Sequence, residues 1–110
     1  MRQSRHPLVE RDLIGIVEHI VEVTNGDFAA AERRLDEIDA LLRSIAANPS
    51  SGIRFSGALE GWLVRHGGRG NRLTVVFRLN PQRDLLQIAL VAFGGQDWMA
   101  QGKGRKDAEF

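Results

Sequence analysis

Apolar residues recur at helical spacing from Leu8 to Ile45 and at alternate positions from Leu73 to Leu79, so helices come first and strands second. Leu8, Leu13, Ile16, Val17, Ile20 and Val23 are interspersed with Glu10, Asp12, Glu18 and Glu22. That pattern predicts an amphipathic helix of about four turns. Pro7 suits its first turn, and Thr24-Asn25-Gly26 ends it, since glycine accepts the left-handed backbone that follows a helix. Asp27 is placed to cap a second helix by accepting from free N–H groups of its first turn. Phe28, Ala31, Leu35, Ile38, Leu42 and Ile45 then form a narrow seam between charged residues, stopped by Asn48-Pro49. The loop between the helices is short, which predicts an antiparallel hairpin.

After the polar turn Pro49-Ser50-Ser51-Gly52 the period shortens. Trp62 to His66 reads as a short strand, and Gly67 to Asn71 as a loop. Arg72 to Leu79 alternates, with Leu73, Val75, Phe77 and Leu79 on one face and Arg72, Thr74, Val76 and Arg78 on the other. A turn at Asn80-Pro81 leads to Leu85–Phe93, an apolar run expected of a central strand covered on both faces. The fold class is therefore α+β: a two-helix hairpin packed on a small antiparallel sheet of three to four strands. Residues 1–98 make the domain, and residues 99–110, rich in glycine and charge, read as a mobile tail.

The net charge of +1 hides an asymmetry. Residues 1–60 carry 7 basic and 10 acidic groups, a net −3, while residues 61–110 carry 8 and 4, a net +4. Between Gly61 and Arg83 lie Arg65, His66, Arg69, Arg72, Arg78 and Arg83 without one acid. Such a segment meets an anionic partner, nucleic acid or an acidic protein segment, or else it is solvated charge that blunts a sheet edge. His66 is the only side chain there suited to proton transfer near neutral pH, though without a partnered carboxylate or nucleophile nearby it reads first as a polar strand end. Trp98 either closes the core or stacks on a partner. There is no cysteine, and the three histidines are scattered, so no metal or other cofactor is expected. With no apolar stretch of about 20 residues and no signal-like N-terminus, the expectation is a cytoplasmic protein without membrane contact.

The segments IVEHIVEVTNGDFAAAERRLDEIDALLRSIAANP and RLTVVFRLNPQRDLLQIALVAFGGQDW, in this order, resemble the RelE/ParE family of type II toxin–antitoxin toxins. The likeness runs from about Arg5 to Trp98 and rests on the order and spacing of elements. It implies a short strand before the helix hairpin, here at Arg2 to His6, and helices on one face of a small antiparallel sheet. It also implies a cognate antitoxin as partner, in a hetero-oligomer, and either DNA gyrase or ribosome-bound mRNA as target. RelE-like members cut mRNA with basic groups on the sheet and a C-terminal Tyr or His; ParE-like members need no such set. Of the family's two strand-borne arginines the second is kept as Arg78, while Thr74 stands at the first, two residues after Arg72. Leu90 and Phe93 stand where relatives often carry Arg and His. The resemblance thus implies a ParE-like growth inhibitor, with mRNA cleavage (His66 and Arg78 as catalytic candidates) or a non-toxic binding scaffold as alternatives. Arg65, Arg69, Arg72, Arg78, Arg83 and Trp98 are the candidate contacts for antitoxin or target.

Overall fold

A computed structural model describes residues 2–54 and 60–105. Strand β1 (Arg2–Arg5) leads into helices α1 (Val9–Val23) and α2 (Phe28–Ala47). Then follow β2 (Ile53–Arg54), β3 (Leu63–Gly67), β4 (Leu73–Asn80), β5 (Leu85–Phe93) and a short helix α3 (Trp98–Lys103). One sheet results, in the order β1-β5-β4-β3-β2. Among the described residues it has five strands rather than three or four, because β1 and the two-residue β2 extend its edges. The β1–β5 pair is parallel and the other pairs are antiparallel. Among the described residues no helix is long and apolar enough to cross a membrane.

The hairpin forms where the sequence places it. Asn25 and Gly26 take positive φ, and the Gly26 N–H donates to the Val21 carbonyl at 2.8 Å. Asp27 caps α2 by accepting from the Ala30 N–H at 3.0 Å. The seam differs from its expected membership at one end. Phe28 is 71% exposed because it begins α2, beyond the last turn of α1 that would have covered it. Leu41 joins Ile38, Leu42 and Ile45 in the core instead. Its methyl groups lie where a Cβ on Gly67 would sit, 2.7 Å away, so the bare backbone of β3 makes room for it.

Among the described residues two apolar clusters flank the sheet. On the helix side Leu73, Val75 and Phe77 of β4 and Leu86, Ile88, Val91 and Phe93 of β5 meet α1 and α2. On the open side Trp62, Val64, Val76, Ala89, Leu90 and Ala92 form a smaller cluster with Trp98 against it. Strand β5 is thus covered on both faces, as its apolar run requires. Its inward-facing positions change parity between Ile88 and Val91. The register explains this: Phe77 pairs with Ile88 and Val76 with Leu90, so Ala89 is an extra residue in a bulge.

Beyond Ile88 the β1 edge of β5 has no strand partner among the described residues, since β1 pairs only as far as Arg5. Side chains supply the missing bonds. The Ala89 carbonyl accepts from Arg105 at 3.0 Å, the Val91 N–H donates to Asp12 at 3.1 Å, and the Phe93 N–H donates to Gln96 at 2.8 Å. Asp12 and Arg105 join through two bonds of 2.6 and 2.8 Å, with only 9% and 10% of their side chains exposed. His6 lies next to this pair. Its Nδ1 accepts from the Leu8 N–H, and burial, followed by the nearby Arg105 charge, lowers its pKa below 6.5 against an opposing pull from Asp12. The expected mobile tail from residue 99 is therefore corrected as far as Arg105. Residues 98–105 are built into the fold because Asp97 caps α3 and the Arg105 guanidinium is tied to α1 and β5. The rest of that expectation, residues 106–110, lies outside the described residues.

Candidate functional site

The basic residues of the 61–83 segment do not converge. Arg65 and His66 are neighbours in β3 and so point to opposite faces. Arg65, half-buried on the helix side, donates to the Ser51 hydroxyl at 3.0 Å. His66 is exposed on the open side; its Nδ1 lies 2.9 Å from the Thr74 hydroxyl, and its ring meets the edge of Trp98 at 6.1 Å. Arg78 also belongs to the open side. Its guanidinium lies 4.5 Å from the centre of the buried Trp62 ring, and its Nε donates to Gln87 at 2.9 Å.

Arg72 departs from the alternation that would have put it beside Arg78. It precedes β4 with helical backbone angles, and its guanidinium reaches over the Phe93 ring at 5.2 Å. Arg34 of α2 lies over the same ring at 5.0 Å while pairing with Glu37, and His19 of α1 approaches it at 6.0 Å. Arg69 sits exposed in the turn before β4. Arg83 is exposed in the turn at the other end, where its carbonyl accepts from Arg2 at 3.4 Å. Strand β4 is roughly 25 Å long, so the two ends are well separated.

Two groupings emerge. On the open face, His66, Thr74 and Trp98 lie toward one end, and Arg78, Trp62 and Gln87 toward the other. Thr74 is four residues before Arg78, which places His66 about 13 Å along the sheet from it. Val64, Val76 and Leu90 fill the space between. At the end of the sheet where β4 starts and β5 stops, Arg72, Phe93, His19 and the Gly94–Gln96 turn come together. This second grouping draws on α1, which the basic-segment reading left out. Its traces in the sequence are a glycine inside an amphipathic helix, Gly15, and the pair Gly94-Gly95 closing a strand. Among the described residues no three histidine, aspartate or glutamate side chains gather as metal ligands would. Comparison with family models and with curated proteins finds no match for this chain.

Proposed function

We propose that this protein is the toxin half of a toxin–antitoxin pair, a ParE-like growth inhibitor acting on a gyrase-type target and held inactive by its antitoxin. The order of elements carries the reading. A short strand precedes the helix hairpin, the helices cover one face, and three longer strands follow in antiparallel succession. This is the arrangement that the RelE/ParE resemblance implied. The basic groups are spread over both faces, among apolar side chains, which suits a partner segment that folds as it wraps the surface.

Cleavage of mRNA is the less supported mode. It needs one group to take the proton of a 2′-hydroxyl, another to protonate the leaving oxygen, and a cation on the phosphate between them. His66 is the one proton-transfer candidate of the basic segment, and an apolar stretch separates it from Arg78. Expression in a bacterial host without the antitoxin distinguishes the modes. Growth arrest with relaxed or cleaved plasmid and intact transcripts is expected. Codon-phased transcript ends that vanish in His66→Ala or Arg78→Ala would replace the gyrase reading with the nuclease one. Unimpaired growth with soluble, folded protein would reject toxicity and leave a binding scaffold.

A further inference from the structure

The grouping around Phe93 lines a half-open pocket of about 370 Å³, at the small end of the range for small-molecule sites. Gly15, His19, Arg72, Phe93 and the 94–96 turn line it, and among the described residues no carboxylate does. The Arg72 guanidinium lies over the Phe93 ring, and its N–H groups have no hydrogen-bond partner among the described residues. The Gln96 side-chain oxygen is occupied by the Phe93 N–H, so its amide nitrogen is the end left to donate. The main-chain N–H groups of Gly95 and Gln96 have no hydrogen-bond partner among the described residues, and they follow Gly94, which is at φ +68°. Successive free N–H groups beside a left-handed residue form the kind of concavity that holds anions.

The glycines point the same way. A Cβ on Gly15 or on Gly95 would meet nothing within 4 Å among the described residues, so packing against them does not require glycine at either position. Within a helix Gly15 is less stable than alanine would be. Both positions line the cavity, and their bareness lets a ligand approach the backbone. We infer that this cavity binds a phosphate monoester of small-ligand size. Its oxygens would be met by the Arg72 fork and the N–H groups of Gly95 and Gln96, with His19 at the rim. A polyanion fits less well, because the cavity is concave and Arg78 and Arg83 lie toward the other end of β4.

The test is a titration of the 15N-labelled full chain with phenyl phosphate at constant ionic strength, with acetate as the carboxylate control. Saturable shifts are expected at the Gly95 and Gln96 amides, with phenyl phosphate binding at least about tenfold more tightly than acetate. Arg72→Ala, at an exposed position, should weaken binding about tenfold or more. Gly15→Leu puts a stronger helix former on α1 and a side chain at the cavity wall, so it should abolish binding in a protein at least as stable. Shifts that never saturate, shifts centred on Arg2 and Arg83, equal affinity for acetate, or full affinity in either folded variant would overturn the assignment.

Discussion

Asp12 receives the Val91 N–H on an oxygen that also binds Arg105, while its second oxygen takes the other arm of the guanidinium. A nearly buried carboxylate is tolerable because every bond around it is charge-assisted. Removing one partner is a different matter from removing both. Asp12→Ala strands the Arg105 guanidinium and the Val91 N–H together, and should cost about 3–5 kcal/mol. Arg105→Met should cost a similar amount, since it strands Asp12 and the Ala89 carbonyl. The double variant should lose clearly less than the sum, because its buried charges are gone together. Urea unfolding of the four proteins measures this. Additive losses, or single losses below about 1 kcal/mol, would show that the pair is solvated and does not close the sheet edge. Nothing local in the sequence marks this contact: the residues are 93 positions apart, and each looks like an ordinary surface charge.

At the level of elements, periodicity was the legible signal, and it worked where a residue's surroundings belong to its own element. Helix α2 follows from its 3-4-3-4-3 spacing, yet the same spacing gave Phe28 and Ile38 equal standing. The structure separates them: Ile38 is 2% exposed and Phe28 71%. Ile38→Ala should therefore cost about 2–5 kcal/mol, while Phe28→Ala should stay within about 0.5 kcal/mol of the parent. A denaturant melt of each variant decides this, and a large loss at Phe28 would mean that the start of α2 is covered in solution. Strand β1 was legible only through the resemblance, since Arg2–Arg5 is short and polar. Its reason for being a strand lies in β5, whose backbone needs a partner on that edge. The parity change at Ala89 was equally hidden, because an unbroken apolar run carries no alternation for a bulge to interrupt.

For the whole molecule, the question is whether five arginines in one segment amount to one charged surface. Linear clustering suggested that they do, but the β turns and the pleat disperse them. Arg69 and Arg72 stand at one end of β4 and Arg83 at the other; Arg78 lies on the open face, bonded to Gln87, and Arg65 on the opposite one, bonded to Ser51. A duplex laid on any one side can reach only a subset of them. Each phosphate neutralised on duplex DNA steepens the logarithmic dependence of affinity on salt by about 0.9, so a five-arginine patch would give a slope of about −4.5. Dispersed in pairs, these side chains should give a slope no steeper than about −2 and weak, sequence-independent binding. Fluorescence anisotropy with a labelled duplex across a salt series measures the slope directly. A value near −4.5 would mean that the arginines act as a unit, and nucleic acid would displace an acidic protein segment as the favoured partner. A shallow slope fits a partner that wraps around the domain and meets the arginines in turn, as a segment folding onto both faces would.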